Sequence, residues 1–378
     1  MDYSKTFKKY LDKIDIQNHG KIHKHPNLKY YERFIVIPCY AEFDYVFQTL
    51  ESINQQDIDL LQKCLVIIVI NNSKSSSEDI KNNNYKTYQA LDLKKYNFEF
   101  IMIDCFSEQY AINDNLAGVG MARKIGLDYC LMYAKNKNSL LCSLDADTLI
   151  SKNYLKYVCK LFKNNIAQAC VVNFKHQKSS NIDINKGIKK YESILKNIAQ
   201  NIDKVGSPYG YVSLGSTIVC TINAYIACGG MSKKKATEDF YFLQALAKYT
   251  KILQLETELV YPSSRYDQRV YLGTGFRMNE YKKNKKFQDL EYSDTSFKQL
   301  KDIIDLVNSS WEYDYKKFYD IMRKKISKKA IIFLIDKKIE SVWNNMKKNS
   351  KNKNQFMLFF HQWFDALMII QLLKKLNN

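Results

Sequence analysis

The chain has 378 residues, of which 46% are hydrophobic and 26% are charged, a composition typical of globular proteins. Its nine cysteines form no C-x-x-C pair and several lie in apolar stretches, so we expect reduced thiols and neither a disulfide framework nor a structural zinc site. The formal net charge of +19 is compatible with nucleic acid, an anionic membrane surface or phosphorylated ligands, and equally with a merely lysine-rich surface.

The predicted elements alternate between strand and helix along the first half of the chain. The first 20 residues have no apolar core of the kind that secretory signals carry, and residues 1–33 predict one helix and a loop. In chain order, the pattern then predicts a strand in "RFIVIPCYAEFD" stopped by Pro38, a helix over 45–55, a strand in "CLVIIVINNS", a loop over 73–84, a strand in "FEFIMID", a helix over 119–134, a strand in "SLLCSLDAD", a helix in "SKNYLKYVCKLFKNN" with Ser151 as its N-cap, and a strand in "QACVVNF".

Each predicted strand is a nearly continuous apolar run, which favours an α/β fold with a mostly parallel sheet and helices on both faces. From residue 282 onward the pattern changes to basic helices, predicted over 285–308, 312–348 and 355–375. Residues 356–373 contain four polar or charged positions, so we interpret them as an amphipathic helix and not as a membrane span. The predicted organisation is a basic helical extension (1–33), an α/β domain (34–280) and a basic helical region (281–378).

Polar side chains stand where the predicted strands end. These are Asn71, Asp104, Asp145 and Asp147. The carboxyl ends of parallel strands share one edge of a sheet, so these side chains should converge on one crevice. Asp145 and Asp147 are separated only by Ala146, and their mutual repulsion can be offset by a cation, by a helix N-terminus or by a solvated turn.

Five short motifs occur in a fixed order along residues 34–280. They are "IPCYAE" (37–42), "INNS" (70–73), "GVGMARKIG" (118–126), "DAD" (145–147) and "CGGMSKKKATEDF" (228–240). Together they resemble the family 2 glycosyltransferases, enzymes of the GT-A (nucleotide-diphospho-sugar transferase) fold that use nucleotide-sugar donors. The resemblance implies a GT-A domain that transfers a sugar from a UDP- or GDP-sugar to an acceptor hydroxyl.

The resemblance also implies a divalent cation at the acidic motif. Asp147 would hold Mn²⁺ or Mg²⁺, and Asp145 would share in metal binding and face the donor. Such hard cations prefer carboxylate oxygens, and a metal there can act as a Lewis acid on the departing diphosphate. The structural alternative is a solvated turn that caps the next helix.

The positions that match donor-binding residues of the family are Pro38, Tyr40, Glu42, Asn71, Gly118, Arg123, Asp145, Arg265 and Arg269. Asn71 replaces the usual Asp, and Lys124 replaces the usual Asn after the Arg. Arg265 and Arg269 are two of only six arginines in a lysine-rich chain, which favours bidentate anion contacts. Gly273 and Gly275 would give a lid over the donor its hinge freedom. The alternative for Arg123 is a surface arginine on a helix that begins with glycines.

In the family, one acid of the pair matched by Glu238 and Asp239 is the catalytic base, and Asp239 matches that position best. The predicted reaction is therefore an inverting displacement with Asp239 as general base. Thr237 is a plausible N-cap, and acids at a helix start also occur for purely structural reasons.

Other functions stay open at this point. They include a retaining glycosyltransferase on the same fold, a nucleotidyltransferase, a non-catalytic scaffold and a basic nucleic-acid-binding protein. The sequence lacks the Gly-rich loop of nucleotidyltransferases and the motifs of nucleic-acid-binding proteins, so we expect no nucleic-acid partner.

We expect a glycan or lipid-linked acceptor, such as a bacterial surface glycan, and a cytoplasmic location. We also expect peripheral contact with the inner face of a membrane through the basic C-terminal helices.

Overall fold

The computed structural model describes residues 5–14, 20–164, 166–266, 273–287 and 290–377. Within these ranges the strands are β1 (Lys21–Ile22), β2 (Arg33–Cys39), β3 (Cys64–Asn71), β4 (Glu99–Cys105), β5 (Leu140–Ser143), β6 (Leu149–Ile150), β7 (Ala169–Phe174), β8 (Ile218–Thr221) and β9 (Ile252–Tyr261). The helices are α1 (Lys5–Leu11), α2 (Phe43–Asn54), α3 (Ile58–Leu61), α4 (Glu78–Asp92), α5 (Val119–Tyr133), α6 (Tyr154–Phe162), α7 (Ile182–Lys204), α8 (Ile222–Ala227), α9 (Glu238–Tyr249), α10 (Thr274–Asn284), α11 (Asp294–Ser310), α12 (Tyr315–Lys325), α13 (Lys328–Asp336), α14 (Ile339–Asn349), α15 (Lys353–Trp363) and α16 (Ala366–Asn377).

The described chain divides into two compact units. The sheet unit comprises Met1–Ile188 and Ser213–Lys282, and the helical unit comprises Lys189–Val212 and Lys283–Asn378. The sequence placed boundaries at 33/34 and 280/281. In the structure, α1 belongs to the sheet unit and residues 189–212 group with the helical unit.

All strands of the sheet unit form one mixed sheet in the order β1-β4-β3-β2-β5-β8-β7-β9-β6. The strands β4, β3, β2 and β5 are mutually parallel, and β1, β8 and β6 join by antiparallel pairing. Every residue of β2 and β3 is buried, so both faces of the centre are covered. The predicted α/β class with a mostly parallel central sheet flanked by helices is confirmed.

Gly126 explains how one helix lies against this centre. A Cβ at this position would stand 2.3 Å from Val36 Cγ1 on β2 and 3.0 Å from Val69 Cγ2 on β3. Because glycine has no side chain, α5 packs directly on the two strands. This contact holds the middle of α5 against β2 and β3.

Several predictions of local structure are wrong. β2 continues through Pro38 to Cys39, so Pro38 does not stop the strand, and the helix predicted over 355–375 is two helices, α15 and α16. Residues 73–84 are not all loop, because α4 begins at Glu78. Ser151 is not the N-cap of α6, which has Asn153 there without a side-chain cap bond. The predicted helix over 312–348 is three helices, interrupted where Ser327 caps α13 and where Lys338 adopts a φ of 61° before α14.

The helical unit has an aromatic core of its own. The Trp343 ring stacks on Phe318 with 3.8 Å between centroids and meets Phe356 edge-on at 5.0 Å. Within the described ranges no single helix is long and apolar enough to cross a membrane. By length and composition alone, α15 and α16, bent by 68° at the break between them, pass that test as a pair.

Candidate active site

The parallel centre of the sheet places the ends of four strands at one edge. β2 pairs in parallel with β3 and with β5, and β3 pairs in parallel with β4. The segments that follow these strands carry the polar residues singled out in the sequence. The strand order therefore brings the ends that carry Asn71, Asp145 and Asp147 to one edge of the sheet, whereas the Asp104 carboxylate is used in its own turn.

Asp145 and Asp147 lie in a turn directly after β5, and two side chains fix the backbone of this acidic turn. Thr49 Oγ1 on α2 donates to the carbonyl of Ala146 at 2.8 Å, and Gln177 Nε2 donates to the carbonyl of Asp147 at 2.8 Å. The Asp145 and Asp147 side chains keep 35% and 20% of their surface exposed. The turn is thus held by its backbone, which leaves the carboxylates turned partly to solvent.

An arginine neutralises one end of the acidic turn. Arg265 Nη2 donates to both carboxylate oxygens of Glu42, at 2.6 and 2.8 Å, and lies 3.1 Å from Asp147 Oδ2. The same guanidinium stacks over the Tyr45 ring at 4.0 Å from its centroid. A residue from the loop after β9 thereby joins the turns after β2 and β5.

A second arginine neutralises the other end. Arg123 on α5 is 2% exposed and donates through Nη2 to Asp145 and through Nη1 to Glu238. Its partners lie 22 and 115 residues away along the chain. The guanidinium packs against Gly215, where a Cβ would stand 2.6 Å from Nη2. Arg123 is therefore a buried bridge between the acidic turn and the start of α9, and the surface-arginine alternative is wrong.

The acid pair at the start of α9 has two different environments. The Glu238 carboxylate is buried and bound to Arg123. Asp239 is half-buried, and its Oδ1 accepts a hydrogen bond from the Phe240 amide at 2.7 Å. Thr237 precedes them with a φ of 62° and makes no side-chain cap, so it is not the N-cap of the expected kind.

Burial shifts Asp147, Glu238 and Asp239 toward their neutral forms. Burial raises the pKa of Asp147 to about 7, against the opposing effect of Arg265. It also raises the pKa of Glu238, which Arg123 again opposes, and the pKa of Asp239. Carboxyls with raised pKa values are better proton acceptors at neutral pH than ordinary surface acids.

The glycines at the start of α5, Gly118 and Gly120, leave room for a loop of the protein itself. A Cβ on Gly118 would lie 2.8 Å from the Lys235 carbonyl oxygen, and one on Gly120 would lie 2.2 Å from the Lys234 carbonyl oxygen and 2.9 Å from Glu238 Cβ. At both glycines, the backbone that approaches most closely belongs to the segment that leads into the acid pair.

The other predicted donor positions that the structure describes lie on or directly after β2 and at the end of β3. Pro38 is buried within β2, opposite Val69 of β3, and Tyr40 follows that strand half-buried. Asn71 is 3% exposed, and its Oδ1 has no hydrogen-bond partner among the described residues. Arg269 lies outside the described residues.

Asp104 does not join the site. Its Oδ1 accepts hydrogen bonds from the Phe106 and Ser107 amides, at 3.0 and 2.9 Å, and its Oδ2 accepts one from Ser107 Oγ at 2.7 Å. The carboxylate closes its own turn, so the strand-end position alone overstated its role.

The donor atoms of the acidic turn decide whether it suits a divalent cation. Among the residues that the structure describes, no group of three or more His, Cys, Asp or Glu could hold a metal ion. Asp145 and Asp147 nevertheless offer partly exposed carboxylate oxygens, and Mg²⁺-type ions are commonly held by one or two carboxylates together with substrate phosphates and water. The residues fit a cation that shares its ligands with a phosphorylated substrate.

Three residues that hold the backbone of the site were not among those predicted from the sequence. Thr49 and Gln177 donate hydrogen bonds to the backbone of the acidic turn. In the turn after β2, Asn84 Oδ1 accepts a hydrogen bond from the Ala41 amide at 2.9 Å. Of these three, only Gln177 could have been predicted, because it follows closely after a strand of the sheet, as Asp145 and Asp147 do. That strand, β7, runs parallel to β5, since both pair antiparallel with β8.

Comparison with known proteins gives a limited result. No protein-family model matches the chain, and no curated protein matches it. Solved structures that are similar include S. aureus TarS 1-349 in complex with UDP (14% identity, 77% of this chain and 75% of that chain, TM-score 0.43). They also include the mannosyltransferase PcManGT from Pyrobaculum calidifontis in complex with GDP-Man and Mn²⁺ (11%, 94% and 91%, TM-score 0.43) and glucosyl-3-phosphoglycerate synthase from Mycobacterium tuberculosis in complex with uridine diphosphate (11%, 60% and 69%, TM-score 0.36). With every TM-score below 0.5, these likenesses carry no argument about this chain.

Proposed function

We propose that this protein is a nucleotide-sugar glycosyltransferase of the GT-A fold, related to family 2, that transfers a sugar from a UDP- or GDP-sugar to an acceptor hydroxyl. The proposal rests on the five motifs of the sheet unit and on the way the structure joins them. The donor would lie across the ends of β2, β3 and β5.

The observation that carries the proposal is the buried bridge made by Arg123. It links the acidic turn, where a leaving diphosphate would be stabilised, to the acid pair, where an acceptor hydroxyl would be deprotonated. Removing an arginine and two carboxylates from water costs free energy. A role of the arginine in fixing the geometry of the site would explain why this arrangement is kept. The bridge sets the two chemical functions at a fixed relative position.

The cation would be Mn²⁺ or Mg²⁺, held by Asp145 and Asp147. When bound, it supplies Lewis-acid stabilisation of the diphosphate leaving group. Arg265 already offsets the charge of Asp147 in this structure. The same guanidinium suits a diphosphate, because arginine binds phosphate oxygens in a bidentate manner. We propose that Arg269 assists it.

Asp239 would be the general base. Its Oδ1 is engaged by the Phe240 amide, so Oδ2 is the atom that would take the acceptor proton. Glu238 would hold Arg123 and thereby position the site. One base and one leaving-group stabiliser suffice for a single displacement, which inverts the anomeric configuration.

The nucleoside would meet the ends of β2 and β3. Asn71 has a buried amide oxygen without a partner among the described residues, and a base N–H can donate to it. Tyr40, Pro38 and Gly118 would shape the walls.

A thermal-shift screen of nucleotide sugars with and without Mn²⁺ tests the proposal. A donor at 100 times its Kd adds about 2.7 kcal/mol to the free energy of unfolding. We expect a Mn²⁺-dependent shift for wild type and for Glu108→Gln, which removes an exposed acid elsewhere, and a much smaller shift for Asp147→Asn. If no nucleotide sugar shifts wild type, or if Asp147→Asn responds equally, the proposal fails.

The acceptor would be a glycan or a lipid-linked glycan met at the inner face of a membrane by a cytoplasmic enzyme. On α13, Lys328, Ile332 and Ile335 are spaced four and then three residues apart, which places them on one helix face. All three are exposed, and Arg323, Lys324 and Lys325 precede them at the end of α12. Basic and apolar side chains on one surface favour binding to anionic lipid.

A further inference from the structure

A cavity of about 410 Å³ in the sheet unit is lined by residues from α1, α5 and α8 and from the segment after α8. Its charged lining consists of Lys9, Lys13, Lys124, Lys233 and Asp128. Four ammonium groups against one carboxylate leave an excess of three positive charges. Like charges brought together this way repel one another unless an anion lies between them.

The floor of the cavity is a buried polar network. Lys124 Nζ lies 2.9 Å from Asp128 Oδ2 and donates to Tyr10 Oη at 3.1 Å. Asp128 Oδ1 accepts hydrogen bonds from Tyr10 Oη at 2.8 Å and from Tyr225 Oη at 2.7 Å. An ammonium has three N–H groups, and only two partners of Lys124 occur among the described residues. The third donor is therefore available to a ligand.

Helix α1 forms one wall of the cavity, and its Tyr10 packs against other residues of the sheet unit. Tyr10 packs edge-on against Tyr225 with 5.9 Å between centroids. Gly230 has a φ of 76°, and a Cβ there would lie 2.0 Å from the Tyr10 hydroxyl. The glycine thus leaves room for the tyrosine that docks α1, so the cavity has a defined shape and is not a gap beside a loosely attached helix.

We propose that this cavity binds a phosphate group, as inorganic phosphate or pyrophosphate or on a phosphorylated compound. Lys9, Lys13 and Lys233 are exposed and can turn toward a ligand, whereas Lys124 is held in place. A phosphate has several acceptor oxygens and close to two charges, which matches several lysines better than one carboxylate would. Ile14, Ile226 and Ala227 add an apolar wall, which suits a small organic group attached to the phosphate.

The cavity shares a segment with the candidate active site. Gly229 and Lys233 line it, the Lys234 and Lys235 carbonyls lie against the glycines of α5, and Glu238 follows. A bound phosphate that draws in Lys233 would restrain the segment leading to the acid pair. The inference goes beyond the proposed sugar transfer, and its binding test does not depend on turnover.

Calorimetric titration with pyrophosphate, at low salt and without divalent metal, tests the site. We expect Lys9→Gln/Lys233→Gln to bind about tenfold more weakly or worse, since a lost charge-assisted hydrogen bond is worth about that factor or more. The matched control, Lys152→Gln/Lys156→Gln, changes charge equally on exposed lysines of the sheet unit and should bind like wild type. Equal affinity in wild type and the Lys9/Lys233 variant, or an equal loss in the control, overturns the inference.

A second variant should change affinity in the opposite direction. Asp128→Asn removes the one carboxylate of the charged lining but keeps an oxygen for the tyrosine hydroxyls, so we expect tighter pyrophosphate binding. Thermal unfolding shows whether this variant folds, and the lysine variants test the site in either case. A folded Asp128→Asn protein that binds pyrophosphate more weakly than wild type contradicts the proposed charge balance.

Discussion

Asp239 Oδ1 accepts a hydrogen bond from the Phe240 amide, which leaves Oδ2 as the atom proposed to take the acceptor proton. If it is the general base, Asp239→Asn keeps the shape, removes the basicity and lowers turnover by about 10²–10⁴. Donor affinity should change little. Single-turnover kinetics and donor titration with a working acceptor separate the two effects, and slow donor hydrolysis serves if no acceptor is known.

Glu238→Gln is the matched comparison. It leaves the buried Arg123 with one carboxylate fewer, so we expect mainly a loss of stability and a smaller direct effect on turnover. Near-wild-type transfer by Asp239→Asn contradicts its role. A product with the anomeric configuration of the donor, seen by NMR, contradicts inversion and points to a retaining enzyme.

The acidic turn should make the stability of the metal-free protein depend on pH. Burial raises the pKa of Asp147 from 3.8 to about 7, so between these values the folded state holds more protons than the unfolded state. Its contribution to the free energy of unfolding therefore falls as pH rises and reaches its full penalty above about pH 7. Asp147→Asn should gain stability relative to wild type between about pH 5 and pH 8.

Chemical denaturation with a chelator at the two pH values measures this difference. Glu108→Gln, at an exposed position, should not gain stability in the same way. A constant difference between wild type and Asp147→Asn across the interval shows that the Asp147 carboxyl is not perturbed as described.

At the scale of elements, the start of α5 and the segment before α9 depend on each other. Gly120→Ala would place a Cβ 2.2 Å from the Lys234 carbonyl oxygen, so the backbone leading to Glu238 must move. We expect lower stability and also lower turnover per folded molecule, since displacements of about 1 Å can cost about 10² in rate.

Gly126→Ala on the same helix provides the control. Its Cβ would meet Val36 Cγ1 at 2.3 Å, in the packing of α5 on the sheet. It should lower stability by overpacking, roughly 1–3 kcal/mol, and affect turnover per folded molecule much less. Urea unfolding together with activity normalised to folded protein distinguishes the two, and equal turnover losses would argue against a specific link through Gly120.

At the scale of the whole molecule, the net charge of +19 poses the question of a membrane partner. We predict that the protein floats with vesicles containing anionic lipid at moderate salt. Replacing Lys324, Lys325, Lys328 and Lys329 by Gln should abolish flotation, because each lysine near an anionic surface contributes about 1 kcal/mol. Replacing the exposed lysines 86, 95, 152 and 156 is the control of equal charge.

Flotation that both quadruple variants lose equally would indicate a general charge effect. If wild type does not float, the helical unit has no membrane role under these conditions. The lysines of α12 and α13 would then be surface composition.

The sequence by itself determined the class of the fold and the location of the candidate site. The runs of β2 and β3 are apolar at nearly every position because both faces of these strands are covered, and such runs are legible without a structure. The rule that ligands meet strand ends singled out Asn71, Asp145 and Asp147, and also Asp104, whose carboxylate closes its own turn. The helix α4 was not predicted over its first residues because its buried face consists of Asn84, Thr87 and Leu91. Two of these three are polar, so the apolar spacing of a helix is absent from the sequence.

Only the tertiary structure decided what offsets the charge of the acidic turn. Arg123 binds Asp145 and Glu238. Arg265 binds Glu42, which is 223 residues away in the sequence, and also contacts Asp147. No local pattern encodes such pairs, because they depend on how the strands are ordered in the sheet and on which loops that order brings together. The same holds for the four lysines of the cavity, whose separate positions along the chain indicate nothing until α1 docks against Gly230.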